Sequence, residues 1–251
     1  MNSGSLLDVI LAEGSLSVLF QPILELAGDN QRLHSVECLM RGPRGSTLES
    51  ADVLFEYVRR KREEPQVDRA CVAAAFAAAR ELPGDLPLSV NVHAATLVRD
   101  PGFVPFLIEA AGRERIALER LVVEIVEHAP QWAGERLGEA LDALRSRGVR
   151  FALDDVGLGR SNYRMIIETR PDFFKLDRYF IQGCAEDYYR QAVLESAVHL
   201  ARKLGAEPVA EGVARQADLE TVKGLGIRLV QGFLFLPPVA ASELLRLAPT
   251  R

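Results

Sequence analysis

The sequence contains few of the residues that build zinc knuckles and disulfide frameworks. Its 251 residues include only three cysteines, Cys38, Cys71 and Cys184, which lie far apart and form no Cys-x-x-Cys pair. The four histidines likewise show no paired spacing. This usage argues against a zinc knuckle or a disulfide scaffold, and it fits a protein of the reducing cytoplasm, which is the location that we expect.

Long apolar runs and basic clusters are also lacking. The chain has no uninterrupted apolar stretch of about 18 residues, and its N-terminal segment carries acids where a secretion signal needs a basic start. The formal net charge is −5, without a basic block. We therefore expect no membrane insertion and no binding of duplex nucleic acid, although a few local arginines could hold a small phosphorylated ligand.

No internal repeat, low-complexity tract or linker divides the chain, so we expect residues 1–251 to form a single domain. Short apolar runs alternate with longer segments of helical period. Eight runs have the length and the Val, Ile and Phe content of strands: LSVLFQPIL, RLHSVECLM, LPLSVNV, RLVVEIVE, VRFALDD, FFKLD, EPVAEGV and RLVQGFLF. Alternating βα units of this number predict an α/β fold, a (β/α)8 barrel of the TIM type.

The clearest helical segment covers residues 187–205, with Gly205 at its end. Its spacing predicts one apolar stripe, formed by Val193, Ala197, Leu200 and Leu204.

Nearly every predicted strand ends in a carboxylate, an amide or an ammonium group: Glu37, Asn91, Glu124, Asp154 with Asp155, Lys175, Glu211 and Gln231. In a (β/α)8 barrel the C-terminal ends of the strands converge on one mouth, so these side chains should gather there. Five carboxylates in one pocket repel one another, and divalent cations would compensate them. Oxygen donors without histidine favour magnesium, manganese or calcium over zinc or copper. Two ions roughly 4 Å apart, sharing the Asp pair, would activate water for displacement at phosphorus.

These residues lie in motifs that resemble the EAL domain family of bacterial cyclic di-GMP phosphodiesterases, over about residues 17–240. The matching segments are FQPI, VECLMR in place of EALxR, SVNV, VEIVE, LDDVG, FKLD, AEGV and QGF, in the family's order. The resemblance implies hydrolysis of cyclic di-GMP to the linear dinucleotide pGpG, with two Mg²⁺ or Mn²⁺ ions, and it implies that Ca²⁺ inhibits. It also implies a homodimer and a barrel whose first strand is antiparallel to the others.

The resemblance further implies a role for each matching residue. Glu37, Asn91, Glu124 and Asp154 resemble the ligands of one ion, and Asp154, Asp155 and Glu211 those of the second. Lys175 resembles a lysine that contacts the attacking water, to orient it or to accept its proton, and Gln231 a glutamine near that water. Gln21, Leu39 and Arg41 resemble residues that touch the nucleotide, and Glu127 resembles a glutamate that anchors the loop after the Asp pair.

Some positions depart from the family pattern. Cys38 replaces the central alanine of EAL, and because strand neighbours face opposite ways we expect it to point away from the mouth. The loop DDVGLGRSNY replaces the common DDFGTGYSSL, which puts the rate and the affinity for the second ion in question. Val126 and Ala214 replace a threonine and a glutamate of the family without removing a metal ligand.

Each residue taken singly has a structural alternative. The glutamates could be solvated rim residues, Lys175 a surface lysine, Asp154 and Asp155 helix N-caps, and Arg41 a turn residue. Two functions stay open for the whole set, a metal-dependent phosphodiesterase or a receptor that binds cyclic di-GMP without turning it over. A different phosphodiester as the substrate is a third, more remote alternative.

Overall fold

The computed structural model of the protein describes residues 5–28, 30–126, 134–154 and 163–247. In this part of the chain, eight strands form a closed barrel in sequence order. They are β1 Ser17–Ala27, β2 Asn30–Arg41, β3 Leu88–His93, β4 Leu121–Val126, β5 Arg150–Leu153, β6 Phe173–Leu176, β7 Glu207–Ala210 and β8 Leu229–Val230. Each of the eight apolar runs overlaps one strand, so the predicted (β/α)8 barrel is confirmed.

The first strand runs against the rest. β1 pairs antiparallel with both β2 and β8, whereas all pairs from β2 to β8 are parallel. Only two positions separate β1 from β2, a connection too short for the crossover that a parallel pair needs. One of them, Gly28, has a φ of +64°, which favours glycine. The antiparallel first strand that the resemblance implied is confirmed.

Eleven α-helices occur among the described residues, most of them packed around the barrel. They are α1 Leu6–Leu11, α2 Ala51–Lys61, α3 Glu64–Ala78, α4 Ala94–Arg99, α5 Phe103–Arg113, α6 Gly134–Arg145, α7 Tyr163–Thr169, α8 Arg178–Ile181, α9 Tyr188–Lys203, α10 Gln216–Gly224 and α11 Ala241–Leu247. None of the helices in these ranges is both long enough and apolar enough to cross a membrane.

Two apolar regions on opposite faces of the strands hold the barrel together. The larger one lies between the strands and the surrounding helices, and it contains the buried side chains of Phe76, Leu107 and Cys38. The smaller one forms a layer that we call the interior layer, made of Ile23, Val122, Ala152, Phe173, Val209 and Leu229. Cys38 therefore faces the helices, away from the mouth, as predicted from its place beside Glu37.

The predicted apolar stripe of α9 is confirmed for Ala197 and Leu200, which are partly buried against the core, and is wrong for Val193 and Leu204. Val193 and Leu204 are 44% and 55% exposed, whereas Leu194, Val198 and Ala201 are buried against the barrel. Both stripes have helical spacing, and the helix contains enough apolar residues for either one. The packing of α9 on β6 and β7 decides which stripe is buried.

Truncation of Leu194 tests this correction. Leu194→Ala is expected to lower the free energy of unfolding by about 2–5 kcal/mol, because it removes a fully buried side chain and leaves a cavity. Val193→Ala is the control on the exposed face, with an expected change within about 0.5 kcal/mol. Equal effects of the two substitutions in urea denaturation would contradict the observed orientation of α9.

Candidate active site

The interior layer determines which polar side chains reach the barrel mouth. Side chains along a strand alternate between its two faces, so the residue two positions beyond an interior residue also points inward. Glu124 follows Val122 in this way, and Lys175 follows Phe173. In the same way Asp154 follows Ala152, Glu211 follows Val209 and Gln231 follows Leu229. Gln21 precedes Ile23 by two residues, because β1 runs in the opposite direction. The apolar layer thus forms a floor below a ring of polar groups.

Lys175 lies at the centre of this ring and is only 2% exposed. Its Nζ lies 2.5 Å from Oε2 of Glu124, 2.7 Å from Oε1 of Glu211 and 3.1 Å from Oε2 of Glu37. Oδ1 of Asp154 lies 4.0 Å away. One ammonium group therefore contacts carboxylates from four different strand ends. The interpretation of Lys175 as a surface lysine is wrong.

Three amide side chains complete the ring on the side of Glu37. Asn91 Nδ2 donates to Oε1 of Glu37 at 2.9 Å, and Gln231 Nε2 donates to Oε2 at 2.8 Å. Gln231 also donates to Oε1 of Gln21 at 2.9 Å, and Gln21 donates to the Leu236 carbonyl at 3.3 Å. Glu37 is therefore held at both carboxylate oxygens, which fixes its orientation, and the interpretation as a solvated rim residue is wrong for it.

Opposite charges at short range control the protonation of Lys175 and Glu37. Burial alone would lower the pKa of Lys175, but the surrounding carboxylates outweigh burial and raise this pKa well above its usual value. Burial alone would raise the pKa of Glu37, but Lys175 and the donors Asn91 and Gln231 together lower it. Both groups are therefore charged at neutral pH.

The other carboxylates are less well compensated. Burial, followed by the negative charge of Glu37, raises the pKa of Glu124 to about 8, although Lys175 opposes the shift. Burial and the charge of Asp154 also raise the pKa of Glu211 well above its usual value, again against Lys175. The cluster contains more negative charge than one lysine can neutralise, so it favours a further cation.

The donor set fits divalent cations of the hard class. The ring offers carboxylate and amide oxygens without a histidine, and Oε1 of Glu124 is buried with no hydrogen-bond partner among the described residues. The carboxylates are drawn towards Lys175. Accordingly, no three His, Cys, Asp or Glu side chains in the described ranges already surround a common centre at metal-binding distances.

A groove of about 610 Å³ opens beside this cluster. Glu37, Asn91 and Asp154 form its floor, and Leu39 lies at the end of β2. The opposite wall comes from α2, with Phe55 as its aromatic side chain. This volume lies in the range of small-molecule sites, which are commonly about 300–1,000 Å³.

The predicted site residues separate into three groups. The polar ring contains Gln21, Glu37, Asn91, Glu124, Asp154, Lys175, Glu211 and Gln231, and Leu39 lines the groove. The guanidinium of Arg41 is half-buried and donates to the Met40 carbonyl at 2.8 Å. The predicted metal ligand Asp155 and the predicted loop anchor Glu127 lie outside the described residues.

The EAL domain family profile matches residues 5–238, nearly the whole chain. The protein belongs to the EAL domain family. Among its relatives is the cyclic di-GMP phosphodiesterase PdeL of Escherichia coli, which is 32% identical over 165 residues. That match includes 64% of this chain and 44% of PdeL, so this EAL chain spans under half the length of that relative.

Solved structures of EAL proteins superpose closely on this EAL domain. The BlrP1 complex of Klebsiella pneumoniae with calcium and cyclic di-GMP has a TM-score of 0.80 at 29% identity, over 90% of this chain and 56% of that one. A standalone EAL protein from Vibrio cholerae O395, in its form bound to c-di-GMP, has a TM-score of 0.78 at 25% identity. In this second comparison 90% of this chain covers 93% of the other.

The α2 wall of the groove is not among the strand ends from which the site was predicted. Asp52, Phe55 and Glu56 line it from an ordinary amphipathic helix, in which nothing in the sequence distinguishes them from other surface residues. His93 also lines the groove, at the end of β3. The signal that could have found it is its position two residues after Asn91, because both side chains then point to the same face of the strand.

Proposed function

We propose that this EAL domain hydrolyses one phosphodiester bond of cyclic di-GMP and releases linear pGpG, with two Mg²⁺ or Mn²⁺ ions. The observation that carries the proposal is the buried contact of Lys175 with four carboxylates, next to a groove of about 610 Å³. Family membership supports it, as do the related BlrP1 and Vibrio structures, which contain the same dinucleotide.

In this proposal the ring residues hold both ions. Glu37, Asn91, Glu124 and Asp154 bind the first, and Asp154, Asp155 and Glu211 bind the second. When bound, the ions would supply a nucleophilic water and positive charge next to the phosphate oxygens. Asp154 contacts Lys175 and also lines the groove, and we assign it to both ions on the family resemblance.

The protein's own groups then orient the reactants. Lys175 lies within hydrogen-bond distance of three carboxylates that would hold the ions, so its ammonium group is positioned to orient these ligands and the attacking water as a donor. Because the same carboxylates raise its pKa and keep it protonated, the proton-acceptor role is not the one that we propose. Gln231 donates a hydrogen bond to Glu37, and we assign it a place near that water on the family resemblance. We assign Glu127 the role of anchor for the loop after Asp155 on the resemblance alone.

The dinucleotide occupies the groove and the rim of the mouth. Leu39 provides apolar contact from the groove wall. Gln21 and Arg41 contact the nucleotide from β1 and β2, the guanidinium of Arg41 through the fork geometry that suits phosphate.

A product assay tests the proposal. Wild-type protein with cyclic di-GMP and Mg²⁺ or Mn²⁺ should yield pGpG, and chelator or Ca²⁺ should suppress the product. Glu37→Gln keeps the size but removes the charge and replaces one of the two acceptor oxygens that face Asn91 and Gln231 by an NH2 group, so we expect a loss of at least about 100-fold. Glu220→Gln, on the exposed face of α10, is the matched control with unchanged activity.

If the protein binds cyclic di-GMP in calorimetry but yields no pGpG under any metal condition, it is a cyclic di-GMP receptor and not a phosphodiesterase. Turnover of other cyclic dinucleotides in the same assay would indicate a different phosphodiester as substrate.

The family further supports a homodimer, and sedimentation as a monomer at tens of micromolar, with and without ligand, would contradict it. A cytoplasmic location also stays a prediction.

A further inference from the structure

A buried histidine–carboxylate pair lies beside the groove, outside the ring around Lys175. Asp68 on α3 is 1% exposed, and His93 at the end of β3 is 3% exposed. Oδ1 of Asp68 lies 2.8 Å from Nδ1 of His93, while Oδ2 accepts the His93 backbone N–H at 2.9 Å and the Thr96 hydroxyl at 2.5 Å. The carboxylate is thus fully satisfied, which fixes the ring of His93 in one orientation.

This arrangement determines the tautomer of His93. A carboxylate only accepts hydrogen bonds, so the proton of the neutral imidazole lies on Nδ1, the nitrogen next to Asp68. Nε2, on the far side of the ring, is then a hydrogen-bond acceptor. It is buried and has no partner among the described residues. A buried acceptor without a donor is costly, which makes Nε2 a candidate for contact with a ligand.

The part of the groove that His93 lines suits a nucleobase with hydrogen-bond donors. His93 and Phe55 both line the groove, and their ring centroids are 5.6 Å apart. The half-buried Phe55 offers an aromatic face for stacking. The same wall carries the carboxylates of Asp52 and Glu56, and its arginine, Arg59, is engaged by Glu56 at 3.1 Å. Arg60 also pairs with Glu56, at 2.7 Å, so Asp52 is the carboxylate of this wall that is left to act as an acceptor.

We propose that Nε2 of His93 accepts a hydrogen bond from the N1–H of a bound guanine, with Asp68 as the positioning residue. The inference rests on the proposed function, because it assumes that a guanine nucleotide enters the groove. Guanine presents two neighbouring donors on its Watson–Crick edge, whereas adenine places an acceptor at N1. The acceptor at Nε2 therefore favours guanine over adenine.

Binding measurements with three variants test this role. The affinities for cyclic di-GMP and cyclic di-AMP are measured by calorimetry in Ca²⁺, which should prevent turnover. His93→Asn keeps an amide near Nδ1 that can donate to Asp68 but removes Nε2, and it should weaken binding of cyclic di-GMP by at least about tenfold. His199→Asn, on the exposed face of α9, should leave the affinity unchanged.

Asp68→Asn separates the tautomer from packing. Its amide can donate to Nδ1, which moves the imidazole proton to Nε2 and turns the acceptor into a donor. The variant should bind cyclic di-GMP at least about tenfold more weakly and lose most of the preference over cyclic di-AMP. A purely structural role of Asp68 would change the unfolding temperature without changing this preference.

Nitrogen NMR of ¹⁵N-histidine-labelled wild-type protein gives a readout that needs no variant to fold. We expect Nδ1 of His93 to be protonated, and the Nε2 resonance to shift when cyclic di-GMP is added. An unmoved Nε2 resonance at saturating ligand, or unchanged affinity in a folded His93→Asn variant, would overturn the role of His93 alone. Failure of the wild type to bind cyclic di-GMP would overturn both this role and the proposed function.

Discussion

Lys175→Met is expected to reduce the hydrolysis of cyclic di-GMP by about 10³-fold or more. Methionine preserves much of the length of the side chain but removes the ammonium group that contacts Glu37, Glu124 and Glu211. The first cause is the loss of a group near the attacking water, which typically contributes about 10²–10⁴-fold to the rate. The second cause is repulsion between the carboxylates, because the ammonium group that compensates their charge is removed. The effect should appear in kcat more than in KM, because the lysine lies below the groove.

The measurement is the initial rate of pGpG formation in Mg²⁺, with Lys203→Met as the matched control. Lys203 lies exposed in the last turn of α9, so its replacement should leave the rate unchanged. Unfolding temperatures with and without Mg²⁺ establish that the Lys175 variant folds. A folded variant that keeps more than a tenth of the wild-type rate would show that Lys175 does not act in the reaction.

Asp218→Asn is expected to lower the free energy of unfolding by about 2–4 kcal/mol at pH 7. The buried carboxylate of Asp218 accepts from the backbone N–H groups of Gly183 and Ala185 and from Nε of Arg215 at 2.9 Å. It thereby ties the segment between α8 and α9 to the first turn of α10. The amide would keep one acceptor oxygen and place an N–H group against one of these donors.

The contribution of Asp218 should depend on pH in a defined direction. The hydrogen bond from Arg215 lowers its pKa to about 2 in the folded protein, against burial and with help from the two backbone donors. An unfolded Asp titrates near 3.9, so this stabilisation is fully present above about pH 5 and is lost as the pH falls towards 2.

Denaturation in urea between pH 7 and pH 3 measures the difference between wild type and Asp218→Asn, which should shrink as the pH falls below about 4. Asp142→Asn is the control, because Asp142 is mostly exposed and its ion pair is with Arg145 on the same helix. Its effect should stay within about 0.5 kcal/mol. A difference for Asp218→Asn that grows towards acid pH would contradict the assigned role.

Much of the candidate site can be predicted from the sequence, because the position of a residue along its strand determines where its side chain lies in the barrel. Glu124 and Lys175 each lie two residues beyond an apolar interior position, and strand alternation then directs both inward. The strand ends of a (β/α)8 barrel converge, so no knowledge of loop conformation is needed to place them at one mouth. The residue types alone also favour oxygen-liganded divalent cations.

Features that depend on packing between elements could not be obtained in this way. The buried stripe of α9 includes Leu194 rather than Val193, because contact with β6 and β7 selects one of two stripes of equal spacing. The groove wall on α2 and the contact between Asp68 and His93 join segments that the sequence separates. The sequence around each of these residues does not indicate which distant residue it contacts.

The barrel, the family and the polar ring can therefore be predicted from the amino-acid sequence, because alternation and strand order are local properties of the chain. The charge balance of the ring depends instead on contacts between side chains from different strands. Burial raises the pKa of both strand-end glutamates, but Lys175 and two amide donors outweigh it and lower the pKa of Glu37, whereas burial and the charge of Glu37 raise the pKa of Glu124 to about 8. The hydrogen bonds from Asn91 and Gln231 to Glu37, which no sequence pattern contains, separate these two glutamates.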